Sequence, residues 1–356
     1  AVRDSTVQAR DARALAIQFR IMQHSHIAFH NVIVKSCCRM MILYSPTAVD
    51  DRVVLADRLV VRNVSILLQR VSYYSSRCHD ASSYVLFVDA PFIDSSVMGI
   101  DNDVMISARR YATFLYVDRV TNSTLELKHV AFRARSWEFI GLVNTDHLGN
   151  GSLLSMSNVT ALVDARRWSV PETADDVAFG PLPSAGFAQG VSFATCDSAF
   201  PVDSGSSLVV RNVVVQVLCD DDCYLRAWTM SSLVNRSSVH IDGLVVNFTV
   251  ANATAGAARA FVATPLTFDG MVRRVDNASV VIRNVLLTIR QDWRGAATTS
   301  NFGLLHVLLS SQVRSSSIML SNITLDVDSS VVAVYTLYFD ALSEGSVLSM
   351  FDVRFP

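Results

Sequence analysis

The sequence predicts an all-β chain folded as a right-handed parallel β-helix of about ten coils. Apolar residues alternate along short segments, and the alternation changes phase at a turn-forming residue, so that two strands meet at a corner. This corner recurs along the whole chain in a similar sequence context. The right-handed sense follows from the usual handedness of parallel crossover connections.

The segment SSLVVRNVVVQVL around Asn212 shows the corner most clearly. Leu208 and Val210 lie four and two residues before Asn212. Val213 and Val215 lie one and three residues after it. Side chains of a flat strand alternate strictly between two faces, so this change of phase requires a bend at Asn212. Asparagine suits the bend because it adopts left-handed backbone angles that β-branched residues avoid.

Ten segments share this pattern when they are aligned on the corner residue. The positions two and four residues before the corner are apolar in every unit, and the position six residues before it is Ser in eight units. The predicted corners, all of types common in turns, are Asn31, Asn63, Asn102, His129, Asn158, Asn212, Gly243, Asn284, Asn322 and Asp352. Stacked asparagines can hydrogen-bond along the rod, so a structural ladder is predicted at Asn31, Asn63, Asn102, Asn158, Asn212, Asn284 and Asn322.

Successive corners lie 27 to 54 residues apart, which is typical of a solenoid. A second apolar segment separates them, as in ATFLYV at 112–117 and FGLLHVLL at 302–309. Each coil is therefore expected to hold three short strands, and the stacked coils to form a rod on the order of 50 Å long. A β-sandwich is the competing interpretation, but the chain has few of the Asn-Gly or Asp-Gly pairs that hairpins favour.

The whole chain, residues 1–356, is expected to be one β-helix segment of a longer protein. Residues 164–204 are rich in Pro and Gly, and the repeat resumes unchanged after them. We therefore predict an irregular excursion from one coil at 164–204 rather than a second domain.

Composition narrows the functional classes. The net charge is −2 and there is no run of Lys or Arg, so the chain lacks the electrostatic signature of a nucleic-acid-binding protein. The mean hydropathy of +0.33 is attributed to buried strand faces, because no apolar run approaches the ~18 residues of a membrane span. Any membrane attachment is expected to depend on an anchor outside this segment.

Nine of the fifteen asparagines lie in N-x-S/T sequons, more than the roughly two or three expected by chance. Three are predicted corner residues, at which the sequon is interpreted as a by-product of an outward-facing Ser or Thr: Asn63, Asn158 and Asn322. Four fall seven or eight residues before a corner, in an exposed turn, and are the first predicted glycosylation sites: Asn122, Asn150, Asn235 and Asn277. Asn247 and Asn252 flank a polar loop and are predicted next. N-linked glycans in a row imply the secretory pathway and an extracellular or cell-surface location.

The six cysteines are consistent with the secretory pathway, because disulfides form and persist in oxidising compartments. They form two groups in the sequence, Cys37, Cys38 and Cys78 in the first coils and Cys196, Cys219 and Cys223 around the sixth. Disulfides within each group are possible, their connectivity is open, and buried free thiols are the alternative. A zinc site is not expected, because the Cys219–Cys223 segment lacks nearby histidines.

Parallel β-helices often bind or cleave polysaccharides, and glycoside hydrolysis requires two carboxylates about 5 to 10 Å apart. Asn144-Thr145-Asp146 is similar to the first motif of polygalacturonase-like hydrolases, with partners available at Asp175-Asp176 or Asp220 to Asp222. The similarity ends there, because the chain has no Gly-His-Gly or Arg-x-Lys segment. Exposed loop aspartates are the favoured interpretation. Calcium at Asp220 to Asp222 is disfavoured because adjacent side chains alternate in direction.

Three histidines, His24, His26 and His30, cluster in the first unit. Alternation places His24 and His26 on the same outward face. A weak metal site is conceivable there, but surface histidines beside a strand are the favoured interpretation, so no metal or cofactor is predicted.

The recurring strings LVVRNVSILLQ, SSLVVRNVVVQVL, NASVVIRNVLLTI and SSIMLSNITLDV resemble the trypanosome dispersed gene family of large surface glycoproteins. The resemblance covers most of the chain and lies in the repeat units rather than in a catalytic signature. It implies a long extracellular β-helical ectodomain related to adhesive and matrix-binding surface proteins, anchored in the membrane outside this segment.

We therefore expect a non-catalytic, glycosylated surface or secreted scaffold that displays loops for adhesion or assembly. Its expected partners are N-linked glycans, host or matrix proteins or carbohydrate, or neighbouring copies stacked end to end through open strand edges. The alternative is a polysaccharide-active enzyme, a hydrolase or lyase of the pectin-lyase-like β-helix class.

Overall fold

The computed structural model describes residues 2–9, 15–18, 21–36, 39–44, 60–75, 82–108, 111–136, 139–164, 189–194, 200–219, 223–250, 266–291, 303–328 and 332–355. These residues form 25 strands and no helix. Every hydrogen-bonded strand pair among them is parallel. The predicted all-β parallel β-helix is therefore confirmed over the β-sandwich, whose hairpins would pair antiparallel. Its right-handed sense stays a prediction.

The strands form two stacks, between which the chain alternates once per coil. The corner stack contains β1 (Val2–Arg3) with β2 (Thr6–Ala9), β4 (Ile21–Ser36), β6 (Val60–Ser75), β9 (Ser96–Ile100) with β10 (Asp103–Ser107), β12 (Thr124–Arg135), β14 (Leu153–Asp164), β17 (Ser207–Cys219), β19 (Ser238–Val250), β21 (Ser279–Gln291), β23 (Ser317–Asp328) and β25 (Val347–Arg354). The other stack, which we call face A, contains β3 (Leu15–Gln18), β5 (Arg39–Tyr44), β7 (Ser82–Asp89) with β8 (Phe92–Ile93), β11 (Tyr111–Thr121), β13 (Phe139–Gly149), β15 (Gln189–Ala194) with β16 (Phe200–Val202), β18 (Cys223–Val234), β20 (Leu266–Asp276), β22 (Gly303–Arg314) and β24 (Val332–Ser343).

A corner divides each strand of the corner stack into two halves, which we call face B before it and face C after it. In β4 and β6 the first residues, 21–23 and 60–62, lie before a further bend and continue face A, where Val61 pairs with Phe92. The inward residues of face B are Leu208 and Val210, which are 1% and 2% exposed. The inward residues of face C are Val213 and Val215, both 0% exposed. The phase change at Asn212, with φ of 51°, thus turns both halves toward one continuous apolar core, as the sequence predicts.

The first corner column comprises the left-handed residues at these corners. Strand register stacks eleven of them along the rod, with φ between 44° and 76°. They are Asp4, Asn31, Arg70, Asp101, His129, Asn158, Asn212, Gly243, Asn284, Asn322 and Asp352. Asp4 was not predicted, because too few residues precede it to complete the repeat pattern.

Asn63 does not belong to this column, which corrects the predicted ladder. Val71 lies opposite Val32, so Arg70 occupies the corner position opposite Asn31. Asn63, with φ of 53°, bends the chain seven residues earlier, at a second corner. Asparagine adopts left-handed angles more readily than arginine, and apolar residues alternate around both positions, so sequence alone favours the wrong residue.

Asn102 is also one residue away from the corner predicted for it. Ile100 pairs with Lys128, and Asp103 pairs with Ala131, so Asp101 stands opposite His129 and Asn102 takes an inward position. Asn102 is 2% exposed. Its Oδ1 accepts a hydrogen bond from the Val71 amide at 2.9 Å, and its Nδ2 donates to the Leu68 carbonyl at 3.0 Å. These bonds satisfy the side chain inside the core, where sequence rules predict an apolar residue.

Part of the predicted excursion at 164–204 is regular strand in the structure. Strands β15 and β16 lie within it and continue face A, where Gly190 pairs with Phe139 and Tyr224. Gly190 is one of the residues from which an interruption is predicted, but it is accommodated within the ladder of β15. Residues 165–188 and 195–199 lie outside the described residues.

Candidate functional site

A second column of left-handed residues runs along the edge at which face A turns into face B. Strand register on both sides of this edge stacks ten residues with φ between 46° and 56°. They are His24, Asn63, Asp94, Asn122, Asn150, Ser204, Asn235, Asn277, Ser315 and Glu344. We call this set the second corner column. It precedes the first corner column by seven or eight residues.

Five sequon asparagines lie in the second corner column. The four predicted glycosylation sites there, Asn122, Asn150, Asn235 and Asn277, are all exposed, and Asn63 is exposed in the same column. Asn63 therefore belongs with the four predicted glycosylation sites and not with the corner residues Asn158 and Asn322. Spacing in the sequence is the feature that identifies Asn63 as a member of this column. Asn63 lies seven residues before Arg70, just as Asn122 lies seven residues before His129.

A ladder of buried serines supports this edge from inside. The Ser95 amide donates to Ser123 Oγ at 3.0 Å, and the Ser123 amide donates to Ser152 Oγ at 3.2 Å. Ser123 Oγ in turn donates to the Thr121 carbonyl at 2.7 Å. Further along the rod, Ser316 and Ser346 continue the same contact at 3.4 Å. The serine that sequence analysis assigned only to a turn therefore satisfies backbone groups and holds the asparagine column outward.

A shallow cavity of about 450 Å³ opens at this edge between Asn63, Asp94 and Asn122. Asn122 Nδ2 donates a hydrogen bond to Asp94 Oδ1 at 2.7 Å. Arg62 approaches Asp94 Oδ2 at 3.9 Å. The cavity lies between two sequon asparagines, so a glycan on either would border it.

The asparagines of the first corner column bond to one another along the rod. Asn212 Nδ2 donates to Asn158 Oδ1 at 3.2 Å, and Asn322 Nδ2 donates to Asn284 Oδ1 at 2.8 Å. Asn31 Nδ2 donates to Asp4 Oδ1 at 3.0 Å. Thus the ladder is built from several residue types, and the side chains of the sequon residues Asn158 and Asn322 take part in it.

The remaining predicted sites are dispersed. Asn247 lies on the outward side of face C, where it pairs in register with Gln216 and Thr288. Cys219 ends β17, and Cys223 begins β18. Outside the described residues lie Asn252, Cys37, Cys38, Cys78 and Cys196, together with Asp175, Asp176 and the run from Asp220 to Asp222.

The motif Asn144-Thr145-Asp146 lies on face A, in β13. Thr145 is buried and donates to the Asp118 carbonyl at 3.1 Å, whereas Asp146 is exposed. His147 Nε2 lies 3.1 Å from Asp203 Oδ2. A Cβ on Gly149 would come within 2.6 Å of the His147 ring and 2.8 Å of Asp203, so this glycine makes room for the pair.

The histidines of the first unit do not converge. His24 and His26 are exposed, as predicted, and His30 Nδ1 lies 3.0 Å from Gln69 Oε1. Among the described residues there is no group of three or more His, Cys, Asp and Glu side chains able to hold a metal ion.

Charged residues also stack across rungs on face B. Arg283 donates to Asp242 Oδ2 at 2.7 Å and Asn284 donates to Asp242 Oδ1 at 2.6 Å. The hydrogen bond from Arg283 holds the pKa of Asp242 below its usual value, against the opposing effect of burial. Burial lowers the pKa of His240, and the cations Arg283 and Arg211 lower it further. This group has the geometry of a charge ladder between strands.

The described part of the chain has no helix with the length and apolar character needed to span a bilayer. No protein-family model, curated protein or solved structure matches this chain.

Proposed function

We propose that this chain is a non-catalytic, glycosylated scaffold, located outside the cell or at its surface, that presents its faces for adhesion or assembly. The observation that carries the proposal is the second corner column, in which sequon asparagines recur at one exposed position on the rod. The resemblance to the trypanosome dispersed surface glycoproteins supports it independently.

Backbone geometry makes this edge a suitable position for glycans. Each asparagine sits at a left-handed bend, whose side chain points away from the core while the following residues return to it. Neighbouring rungs are about 4.8 Å apart, so Asn122 and Asn150 would carry two glycans side by side. A dense row of hydrophilic glycans would cover one edge and leave the other faces for partners.

Partners of the scaffold follow from the remaining surfaces. Host or matrix proteins or carbohydrate would bind the open faces, and neighbouring copies would stack end to end. The net charge of −2 gives no attraction for nucleic acid.

The test is to secrete the chain from eukaryotic cells and map glycopeptides by mass spectrometry. We expect glycans at Asn63, Asn122, Asn150, Asn235 and Asn277, and a smaller apparent mass after each Asn→Gln change. Asn284→Gln alters a corner asparagine outside any sequon and should leave the mass unchanged. Unmodified asparagines at all five positions would refute the extracellular proposal.

A polysaccharide-active enzyme stays the alternative, because one arrangement of carboxylates favours it. Val117 pairs with Thr145, and Arg119 pairs with His147, so Asp118 and Asp146 occupy the same position on adjacent rungs. Rungs are about 4.8 Å apart, close to the carboxylate separation of retaining glycosidases. Release of reducing sugar that Asp146→Ala abolishes would favour the enzyme.

A further inference from the structure

Exposed apolar side chains are concentrated on the outward side of face C. Among the described side chains that precede β24, every large apolar one that is exposed lies there, two or four residues after its corner. Their exposed fractions lie between 37% and 46%, and they are Ile33, Tyr74, Met105, Leu162 and Leu286. A concentration of this kind is typical of a protein–protein interface, in which Tyr and Met are enriched.

Of the three faces, face C is the one that does not border the second corner column. Faces A and B meet at that edge, whereas face C begins at the first corner column, beyond face B. Glycans on the second corner column would therefore leave face C accessible. The sequon residue Asn247 lies on face C itself and is partly buried, in register with Gln216 and Thr288. A glycan on Asn247 would block the face, so any partner of face C requires this asparagine to be unmodified.

One outward row runs along face C, with Leu162 at its centre. Strand register joins nine residues, one per rung, in the order Lys35, Tyr74, Met105, Arg133, Leu162, Gln216, Asn247, Thr288 and Asp326. Lys35 and Arg133 are exposed and form no ion pair with another described residue. The half of the row beyond Leu162 is polar and ends at a carboxylate. The two halves are thus complementary when one row is laid against another in the reverse direction.

From this row we infer that face C binds face C of a second copy, with the two rods antiparallel and a two-fold axis at Leu162. The inference rests on the proposed function, because it names the partner with which the scaffold assembles. Antiparallel pairing sets Lys35 against the partner's Asp326 and Arg133 against the partner's Gln216. Parallel pairing would instead bring each unpaired cation beside its own counterpart on the same rung, where like charges repel.

The shape and area of face C also suit a second copy. Two sheets with the same rung spacing interdigitate their side chains at every rung when they pack face to face. From β4 to β23 the face is about 38 Å long, and five residues of strand make it about 17 Å wide. This gives a flat area of roughly 650 Å², comparable to the ~800 Å² of surface that each partner contributes to a stable interface.

Carbodiimide cross-linking tests this pairing, because the reagent joins an amine to a carboxylate that is in contact with it. The chain has two lysines, Lys35 and Lys128. Lys128 Nζ lies 2.8 Å from Glu126 Oε1, so a cross-link between them is the internal control. Lys35 and Asp326 lie eight rungs apart in one copy, about 38 Å, so a direct amide between them forms only between two copies. We expect peptide mass spectrometry to find this amide in a species of twice the chain mass.

Charge at the centre of the face should prevent the pairing. Leu162→Arg places two positive charges together at the two-fold axis and should lower the yield of the Lys35–Asp326 cross-link about tenfold. Leu286→Arg, three rungs away on the same face, provides the test if the Leu162 variant fails to fold. Leu342→Arg is the matched control, since Leu342 is 48% exposed on β24, outside face C, and should leave the yield unchanged.

Three results would overturn the inference. The first is a Lys128–Glu126 cross-link without a Lys35–Asp326 cross-link, and the second is an equal yield in the face C variants and Leu342→Arg. The third is a glycan on Asn247. Glycans on the second corner column are mapped separately, so failure of face C pairing and failure of the glycoprotein proposal are distinguishable.

Discussion

At the scale of single residues, the fold depends on backbone angles that most side chains avoid. Each corner needs a left-handed residue, which costs about 1–2 kcal/mol unless the residue is Gly, Asn or Asp. The chain meets this need with asparagine, aspartate and glycine at most corners. The exceptions include Arg70 and His129 in the first column and Glu344 in the second.

Among the described glycines with positive φ, Gly243 is expected to tolerate substitution least. Its φ is +76°, and an added Cβ would lie 2.8 Å from Asn212 Oδ1. Gly243→Ala should lower the free energy of unfolding by about 3 kcal/mol, from the backbone angle and the clash together. Gly151→Ala is the matched control, since Gly151 has the same φ with nothing within 4 Å and should cost about 1 kcal/mol. Equal losses in urea denaturation would show that the contact with Asn212 is unimportant.

Arg70→Asn should stabilise the protein. Arg70 is exposed with φ of 52°, and asparagine relieves about 1 kcal/mol of backbone strain at such a position. It would also stand between Asn31 and Asp101, where the ladder of side-chain hydrogen bonds passes. Arg133→Asn, in an extended exposed position of β12, is the control and should not stabilise. A lower urea midpoint for Arg70→Asn would contradict the assignment of the corner.

At the scale of secondary-structure elements, polar ladders fix the register between rungs. The inward columns of apolar side chains tolerate a shift of one strand relative to its neighbour, because Val, Ile and Leu are similar in size and polarity from rung to rung. A buried serine that must face another amide does not tolerate it.

Ser123→Ala tests this ladder. It leaves the amide of Ser95, a residue 6% exposed, without its acceptor, which should cost about 1–3 kcal/mol in the free energy of unfolding. Ser96→Ala, on the outward side of β9, should cost less than about 0.5 kcal/mol. The reverse change, Ala278→Ser, places a hydroxyl beside Ser237 Oγ, which has no partner among the described residues, and should stabilise. If Ser123→Ala and Ser96→Ala lower the free energy of unfolding equally, the serine ladder does not contribute to stability.

The charge ladder on face B predicts loss of stability in acid. The folded pKa of His240 is lowered from 6.5, so the unfolded chain takes up the proton first and stability falls as the pH drops through 6.5. The folded pKa of Asp242 is lowered from 3.8, so its contribution is present above 3.8 and is lost at lower pH. The check is the urea midpoint measured between pH 3 and 8. The loss of stability near pH 6.5 should disappear in His240→Gln, and the loss below pH 3.8 should disappear in Asp242→Asn. If each variant follows the wild-type pH dependence, the ladder does not contribute.

At the scale of the whole molecule, the rod has a strand edge that is not covered in the described structure. Leu348 and Met350 of β25 are 38% and 43% exposed. Their register partners on the preceding rung, Ile318 and Leu320, are 1% and 0% exposed. These residues carry the inward apolar column of face B onto β25, the last described strand.

End-to-end assembly of neighbouring copies, one of the proposed partnerships, would bring another chain against this strand. Sedimentation velocity should show association of the chain that increases with concentration. Met350→Lys places a charge in the exposed apolar column and should shift the equilibrium toward monomer, whereas Asp340→Lys, at an exposed position of β24, serves as the charge control. A chain that sediments as a monomer at every concentration, or a Met350→Lys variant that associates equally well, would contradict end-to-end stacking.

The sequence by itself determined the class of fold and the existence of repeated corners. Alternation and its change of phase are local properties, so they placed Asn158, Asn212 and Asn284 correctly without tertiary information. They also placed Asn122 and Asn150 in a turn before a corner, because the spacing between the two bends is nearly constant.

Only the tertiary structure decided which bend belongs to which column. Asn63 and Arg70 both lie in alternating apolar surroundings, and the hydrogen bonds to the neighbouring rungs, not local preference, assign Asn63 to the second column. Asn102 entered the core because backbone groups of Leu68 and Val71, distant in sequence, satisfy its side chain. The stacked rings of Phe87 and Tyr116, with centroids 4.7 Å apart, likewise meet only when two coils are stacked, since these residues are 29 positions apart in the chain. Register between rungs is set by contacts across the whole rod, and no single segment of sequence contains them.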